Sequence, residues 1–375
     1  MIRKIFFMTI IFCLIFGQEI SRLPLLPSEL QIKNIIFFIG DGMGIAQIQT
    51  ARIKSRGALG RLNMELMPVT GLVNTCAIDK LITDSGAGGT ALASGIKTKI
   101  GAIGVDSAGN PYRTLLEVCQ KIGKSTGLVV TSSITHATPA TFAAHTSSRG
   151  DESEIAVQLI YNKVNVLLGG GKAFFLPRKV KGSKRKDERD LIKEAKRLGY
   201  FFVEDKIQLL KADGSYLLGL FQMENMKNDS TEPTLGEMTK KAIEILSKDP
   251  DGFFLMIEGS QIDWECHANK IDGMVKQVLM FDEAVKVGLD FALKDSHTIV
   301  IVTADHETGG LGIIGGTLSG DEIKCGWLSS DHTALMVPLF AFGPKAMNFT
   351  GVHENNEIPH ILAEIIKIDK FPQRN

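Results

Sequence analysis

The stretch that decides the fold is IIFFIGDG, residues 35–42, in which five large apolar side chains are followed by an aspartate between two glycines. A strand with one solvent-facing side alternates apolar and polar residues, so this unbroken run predicts a strand buried on both faces. The glycines let the backbone and a ligand approach each other closely at Asp41. An Asp-Gly pair alone is more often a turn, so Asp41 gains a functional interpretation only from partners elsewhere in the chain.

Further short apolar runs have the character of buried strands, and helical patterns lie between them. The runs are Leu128–Val130, Phe253–Ile257, Ile299–Val302 and Val337–Phe342, and the clearest helical patterns are Gly236–Ser247 and Gly273–Leu293. Such alternation predicts an α/β fold, a three-layer sandwich in which a central, mostly parallel β-sheet is flanked by helices. In open sheets of this kind, ligands bind beyond the carboxyl ends of the strands.

The composition is that of an ordinary globular protein and argues against nucleic acid as a partner. Among 375 residues, Lys+Arg and Asp+Glu are both 42, so there is no basic excess to neutralise a phosphate backbone. The locally basic stretch Lys179–Arg189 fits a solvated loop better than a binding patch. Since no repeat or linker is evident, residues 21–375 are expected to form a single catalytic domain, with 179–229 as a peripheral insertion.

The N-terminus has the pattern of a secretory signal peptide. Arg3 and Lys4 precede the apolar run Ile5–Phe16, and polar residues follow. The run is shorter than the roughly 20 residues that a membrane span needs. We therefore expect residues 1–20 to be a signal peptide, the protein to be secreted or periplasmic, and no transmembrane span to remain after cleavage.

Four cysteines follow the predicted signal peptide: Cys76, Cys119, Cys266 and Cys325. An exported protein can form disulfides. These cysteines are widely spaced, and one or two bridges in several pairings are compatible with the sequence.

The stretch TDSGAGGTALA, residues 83–93, places Ser85 before a run of small, helix-compatible residues. One interpretation is a serine that caps a helix in a glycine-rich turn. The other is a nucleophile in the positive field of a helix N-terminus, where an alkoxide or a phosphate is favoured. No histidine adjoins Ser85 in the sequence, so a metal ion is the more suitable activator.

Carboxylates and histidines recur close to the ends of the predicted strands. In EGSQIDWECH, residues 258–267, Asp263 and His267 are spaced i, i+4, which places both on one face of a helix in a chelating arrangement. The groups expected to gather at the carboxyl ends of strands are Asp41, Glu258, Asp263, His267, Asp305, His306 and His332. They exceed the needs of one ion. Mixed carboxylate and imidazole ligands suit zinc, oxygen ligands suit magnesium, and a two-metal site suits in-line phosphoryl displacement.

With these residues in order, the chain resembles the alkaline phosphatases, and most closely their compact bacterial members. The resemblance runs from about Asn34 to Ile361 and is thinnest across 179–229. Besides Asp41 and the nucleophile motif at residues 83–85, it includes His136-Ala137-Thr138-Pro139 and the segment 145–149, which ends at Arg149.

The resemblance implies hydrolysis of phosphate monoesters through a phosphoserine at Ser85, with two zinc ions and one magnesium ion. It implies that Arg149 holds the phosphate and that Asp84 orients Arg149. The implied ligands are Asp263, His267 and His332 for one zinc ion, Asp41, Asp305 and His306 for the other, and Asp41, Thr138 and Glu258 for magnesium.

Two positions depart from some relatives, which have an aspartate and a lysine near the phosphate and magnesium. Here the matching residues are His136 and Trp264. We expect His136 just outside the metal ligands, where its nitrogen would let zinc or cobalt compete with magnesium. We expect Trp264 to contact the substrate. The resemblance also implies a homodimer and small-molecule phosphate monoesters as substrates.

Other hydrolases of the same fold are the alternatives: a phosphodiesterase, a sulfatase or a metal-dependent phosphoglycerate mutase. Thr138, Arg149 and Glu258 together favour a monoesterase. A sulfatase would need a Cys/Ser-x-Pro-x-Arg context, whereas Gly86-Ala87-Gly88-Gly89 follows Ser85. A binding protein with an inactive site is disfavoured, because neither the nucleophile nor any ligand of the pattern is missing.

Overall fold

The computed structural model describes residues 22–374, so the predicted signal peptide lies outside the described residues. The strands are β1 Asn34–Gly40, β2 Val69–Asn74, β3 Ser125–Ser133, β4 Val166–Gly170, β5 Phe201–Val203, β6 Leu217–Leu220, β7 Phe253–Gly259, β8 Thr298–Thr303, β9 Glu307–Thr308, β10 Gly312–Gly316, β11 Ile323–Gly326, β12 His332–Thr333, β13 Val337–Phe342 and β14 Gly351–Glu354.

Helices occupy most of the connections between these strands. They are α1 Ile45–Arg56, α2 Ser85–Ser94, α3 Leu115–Lys121, α4 Ala137–Ala143, α5 Glu152–Tyr161, α6 Leu191–Arg197, α7 Lys206–Lys211, α8 Leu235–Leu246, α9 Gln261–His267, α10 Ile271–Asp295 and α11 Glu357–Ile365. Both predicted helices are present as α8 and α10, and the ends of every predicted strand lie within three residues of the observed ends.

A ten-stranded sheet forms the centre of the protein, in the order β14-β2-β13-β8-β1-β7-β3-β4-β6-β5. Strands β1, β3, β7 and β8 are buried at every position, as expected of apolar strands covered on both faces. Helices α1, α8 and α10 pack together as one group, and α2, α3, α4 and α11 form a second group. The predicted α/β sandwich is therefore confirmed.

Strand β13 runs against its neighbours, because it pairs antiparallel with both β2 and β8. The expectation that His332 lies at the carboxyl end of a strand was therefore wrong, since His332 precedes β13. Because β13 is antiparallel to β8, its beginning lies at the edge where the parallel strands end. His332 reaches the expected edge for this reason. Glu258 was expected just after a strand and instead lies within β7.

Residues 179–229 supply α6, α7 and the strands β5 and β6. These two strands extend the central sheet at one end, beyond β4. The segment therefore continues the central sheet beyond β4.

All four cysteines beyond residue 21 are free thiols, so none of them forms a disulfide within the described part of the chain. Between residues 22 and 374, no helix combines the length and the apolar character that crossing a membrane requires.

Candidate active site

The sheet itself brings the central carboxylates together. Strand β1 lies between β8 and β7, and Ile39 pairs with Thr303 on one side and with Glu258 on the other. Asp41 comes two residues after Ile39, and Asp305 comes two residues after Thr303. The three carboxylates therefore meet at one edge of the sheet, although Asp41 and Asp305 are 264 positions apart in the sequence.

Glycine at position 42 permits this close approach. Gly42 has a φ of 70°, and a Cβ at this position would lie 2.8 Å from Thr308 Oγ1 and 2.9 Å from Asp263 Oδ1. Its backbone N–H donates to Asp305 Oδ1 at 3.3 Å. A side chain here would meet both an unfavourable backbone conformation and the neighbouring ligands.

Within residues 22–374, three groups of acidic and histidine side chains have potential ligand atoms within 4.8 Å of one another. The groups are Asp263 with His267 and His332, Asp41 with Asp305 and His306, and Asp41 with His136 and Glu258. The first two are the sets expected for zinc. In the third, His136 is close enough to be a ligand itself, whereas we had expected it outside the ligands.

Unpaired polar atoms support metal binding at these groups. Twelve buried side-chain nitrogen and oxygen atoms in the described residues have no hydrogen-bond partner, and six of them lie here. The six are both carboxylate oxygens of Asp41, Asp305 Oδ2, Glu258 Oε1, Thr138 Oγ1 and His136 Nδ1. Buried polar atoms are normally hydrogen-bonded, so this concentration fits a donor set arranged for cations.

The buried carboxylates repel one another electrostatically. Burial raises the pKa of Asp41 well above the usual aspartate value, and the charges of Asp305 and Asp263 raise it further. Burial likewise raises the pKa of Glu258 to about 8. Like charges in a buried place are costly unless positive charge compensates them.

The histidines of the first group turn their Nε2 atoms towards a common point. His267 Nδ1 donates to the carbonyl oxygen of Ser330 at 2.7 Å, and His332 Nδ1 donates to that of Thr83 at 2.8 Å. The two Nε2 atoms then face each other at 3.1 Å. Backbone carbonyls often fix metal-binding histidines in this way. The contact with Asp263 raises the pKa of His267 to about 9, the response of a nitrogen that faces a carboxylate.

Ser85 begins α2, and Asp84 caps this helix by accepting a hydrogen bond from the Ala87 N–H. Every residue of α2 is buried, and its small side chains allow tight packing. A Cβ on Gly88, for example, would lie 2.8 Å from the carbonyl oxygen of Asp305. Ser85 thus lies at the start of a glycine-rich helix, and this position also brings it to the edge of the sheet where the carboxylates meet.

The sequence offered no histidine beside Ser85, but the fold brings one to it. Ser85 Oγ lies 3.3 Å from His306 Nε2. The same nitrogen lies 3.4 Å from Asp41 Oδ1 and 3.3 Å from Asp305 Oδ2. Burial lowers the pKa of His306, which favours the neutral ring. His306 Nε2 therefore faces two carboxylates as well as the serine hydroxyl. This is the arrangement expected of groups that could bind one metal ion together.

Arg149 is held between two groups beside Ser85. Its Nη1 donates to Asp84 Oδ2 at 2.8 Å, and its Nη2 lies 3.2 Å from His136 Nε2. Burial, and then the charge of Arg149, lowers the pKa of His136 to about 4, so the ring is neutral. Burial works to raise the pKa of Asp84, but hydrogen bonds from Ala87 and Arg149 lower it below the usual aspartate value.

The ring of Trp264 lies edge-on to His136, with 6.1 Å between the ring centroids. Trp264 is half-buried. Through His136 it lies on the side of the site that holds the Arg149 guanidinium.

Two residues that the sequence analysis did not select lie next to the ligand groups, and one of them, Thr308, contacts the ligands directly. Thr308 donates its hydroxyl to Asp263 Oδ1 and lies 3.3 Å from His306 Nδ1. Glu307 is buried beside it. The sequence holds only one weak signal for them, which is their position directly after His306.

Comparison with known proteins identifies the family. A family profile described as alkaline phosphatase matches residues 32–323 and 319–368. The chain is 36% identical to alkaline phosphatase 4 of Bacillus subtilis strain 168, covering 91% of this chain and 90% of that one. It is 33% identical to the alkaline phosphatase of Escherichia coli K12, covering 91% of this chain and 88% of that one.

Solved structures agree with these relatives. The alkaline phosphatase of the Antarctic bacterium TAB5 superimposes with a TM-score of 0.83 at 34% identity, over 91% of this chain and 99% of that chain. A variant of the TAB5 enzyme with a histidine replaced by aspartate has magnesium bound in a site called M3. The Thermus thermophilus alkaline phosphatase, at 23% identity, shares the fold with a TM-score of 0.85 over 95% of this chain and 96% of that chain. The chain belongs to the alkaline phosphatase family and is a phosphoric monoester hydrolase.

Proposed function

We propose that the protein hydrolyses phosphate monoesters by double displacement, in which Ser85 first takes the phosphoryl group and a water molecule then releases it. The observation that carries this proposal is the position of Ser85 Oγ, 3.3 Å from His306 Nε2 and beside unpaired carboxylate oxygens. No other hydroxyl in the described residues combines these neighbours with a helix N-terminus.

The proposed centre holds two zinc ions and one magnesium ion. The proposed zinc ligands are Asp263, His267 and His332 for one ion and Asp41, Asp305 and His306 for the other, and the proposed magnesium ligands are Asp41, Thr138 and Glu258. Bound zinc supplies Lewis acidity to the attacking and leaving oxygens, and magnesium adds positive charge nearby.

The protein's own groups would position the phosphate. The planar fork of Arg149 suits two non-bridging phosphate oxygens, and Asp84 keeps that fork in place. The N-terminus of α2 adds unpaired N–H groups and a favourable dipole beside Ser85. Because these groups would bind only the phosphoryl group and not the alcohol part of the substrate, we propose that the enzyme accepts a broad range of leaving alcohols.

The third metal position is proposed to accept either magnesium or a metal that prefers nitrogen. His136 belongs to the same group as Asp41 and Glu258, which adds an imidazole to two carboxylates. The TAB5 variant that holds magnesium in its M3 site carries an aspartate in place of a histidine. We therefore propose that zinc or cobalt competes with magnesium in this chain while His136 is present.

The decisive experiment compares Ser85→Ala with Ser94→Ala in a chromogenic phosphomonoester assay at alkaline pH, with and without a chelator. Ser94 lies at the other end of the same buried helix, and its hydroxyl has no partner, so it is a matched control. Loss of turnover only in Ser85→Ala, and in both proteins after chelation, is expected. Full activity of Ser85→Ala would overturn the mechanism, and equal rates on a diester would favour a phosphodiesterase.

We propose that residues 1–20 direct export, so that the mature protein is secreted or periplasmic. The support is the charged pair Arg3 and Lys4 before the apolar run Ile5–Phe16. N-terminal sequencing of protein recovered from outside the cytoplasm should begin near residue 21. A mature chain that still begins at residue 1 would contradict export by cleavage.

We further propose a homodimer, supported by exposed apolar side chains on two adjoining loops. Ile78 and Leu81 are 55% and 75% exposed, and Ile100 on the second loop is 40% exposed. The loops are joined by hydrogen bonds from Ile78 N–H to Thr98 O and from Ile100 N–H to Asp79 Oδ1. Light scattering should give twice the chain mass for the wild type and a smaller mass for Leu81→Asp. A monomeric wild type at micromolar concentration would refute the proposal.

A further inference from the structure

Glu307 is a buried carboxylate beside the proposed metal ligands that belongs to none of the three ligand groups. It is only 2% exposed. Its Oε1 accepts from Gln47 Nε2 at 2.7 Å and from Leu311 N–H at 3.4 Å. Its Oε2 accepts from Gly310 N–H at 3.1 Å and from the hydroxyl of Thr333. Four donors thus satisfy the buried carboxylate of Glu307.

One of these donors, Thr333, joins two very short strands, and Gln47 ties the first of them to α1. Strands β9 and β12 contain two residues each and pair antiparallel, with Thr333 opposite Glu307 and His332 opposite Thr308. A two-stranded ribbon of this length is not stable alone. The bonds from Thr333 and Gln47 to Glu307 fasten it, and Gln47 Nε2 also donates to the carbonyl of Thr308 at 2.8 Å.

The ribbon carries ligands of both proposed zinc sites. His306 directly precedes β9, and His332 begins β12. Their rings stack with 3.7 Å between centroids and 20° between planes. Thr308 on the same ribbon donates to Asp263. A shift of β12 against β9 would therefore change the spacing between ligands of the two sites.

Glu307 packs closely against the start of α1. A Cβ on Gly44, at the start of α1, would lie 2.4 Å from Glu307 Cγ. The carboxylate is thus enclosed between α1 and the ribbon. Groups behind metal ligands fix ligand orientation and commonly change metal affinity about 10- to 100-fold when removed.

We propose that Glu307 is a positioning residue for both zinc sites, a buried carboxylate that locks β9 to β12 through Thr333 and to α1 through Gln47, and so sets the distance between His306 and His332. The inference rests on the proposed zinc centre. It assigns Glu307 no contact with substrate.

The test measures zinc affinity by competition with a chromogenic chelator in Thr333→Val, Thr333→Ser and Glu307→Gln, with urea unfolding as a check of folding. Glu322→Gln, an exposed glutamate on the neighbouring hairpin, is the matched control. Thr333→Val and Glu307→Gln are expected to bind zinc about 10- to 100-fold more weakly. Thr333→Ser, which keeps the hydroxyl, should restore affinity to within about threefold of the wild type, as should the control.

Wild-type zinc affinity in folded Thr333→Val and Glu307→Gln would overturn the proposal. Thr333 is half-buried at the ribbon's surface, so its variants keep the test valid if Glu307→Gln fails to fold. A wild type that binds no zinc would instead refute the proposed zinc centre. The two failures are therefore distinguishable.

Discussion

At the scale of single residues, the site depends on side chains that are fixed before any substrate arrives. Arg149 illustrates this, because Asp84 and His136 hold its guanidinium from two sides. The i, i+4 spacing of Asp263 and His267 was readable from the sequence, since it needs only one helix. The contacts of Glu307 were not, because they join α1, β9 and β12 across more than 280 residues of chain.

Replacement of Arg149 by alanine should weaken inhibition by inorganic phosphate while leaving measurable turnover. Hydrogen bonds to a charged group contribute about 1.5–3 kcal/mol, so the inhibition constant should rise roughly 10- to 150-fold. Steady-state kinetics with added phosphate gives this constant. Arg178→Ala, at a side chain that is 67% exposed, should behave as the wild type. Undiminished phosphate inhibition in Arg149→Ala would contradict the assigned role.

At the scale of elements, all five predicted strands are present and the sheet is mostly parallel as expected, but the antiparallel direction of β13 was not foreseen. An unbroken apolar run such as Val337–Phe342 reports burial, and burial is the same for parallel and antiparallel strands. The direction of β13 follows from its pairing with β2, whose partly exposed pattern did not mark it as a strand. The short ribbon of β9 and β12 has too few residues to leave any periodic signal.

Helix α2 should not tolerate added volume on the side that faces Asp305. In Gly88→Ala, the new Cβ would meet the Asp305 carbonyl oxygen at 2.8 Å, so the helix and Ser85 must shift. Turnover should fall sharply, and stability should fall by about 1–3 kcal/mol. Gly236→Ala in α8 is the control, because its nearest atoms lie at 3.9 Å. Equal activity and stability in both variants would show that the packing of α2 is unimportant.

The contact between α3 and the segment after α4 should give a stability that depends on pH. Burial acts to lower the pKa of His145, but its bond to Glu117, with Nε2 and Oε1 3.0 Å apart, raises that pKa above the usual histidine value. The folded protein then binds the proton more tightly than the unfolded chain. The stabilisation is fully present below pH about 6.5 and is lost as pH rises through the raised pKa.

His145→Gln should therefore reduce the free energy of unfolding more at pH 5.5 than at pH 9. Urea unfolding at the two pH values measures it. A loss of the same size at both would show that the charged form of His145 contributes nothing.

At the scale of the whole molecule, the fold gathers distant residues by placing the ends of β8, β1 and β7 side by side at the centre of one sheet. This general arrangement was predictable, because ligands of such sheets bind beyond the carboxyl ends of strands. The extension of the sheet by β5 and β6 was not predicted, since residues 179–229 are polar and carry short runs. The region lies at the far end of the sheet from β14.

Metal removal should destabilise the entire protein, because it leaves buried like charges uncompensated. A ligand present at 100 to 1,000 times its Kd stabilises the native state by about 2.7–4.1 kcal/mol. The urea midpoint should fall after chelation and recover when zinc is restored. Asp305→Ala should recover less than the wild type. An unchanged midpoint after chelation would count against a metal centre at this edge of the sheet.

The most direct test of the account is acid-quench mass spectrometry of the metal-loaded enzyme during turnover of a phosphomonoester. Acid stops the second displacement, so the account predicts a phosphate on the peptide that contains Ser85 and none on that peptide in Ser85→Ala or after chelation. Active enzyme whose phosphate is found on another residue, or on none at any quench time, would contradict it.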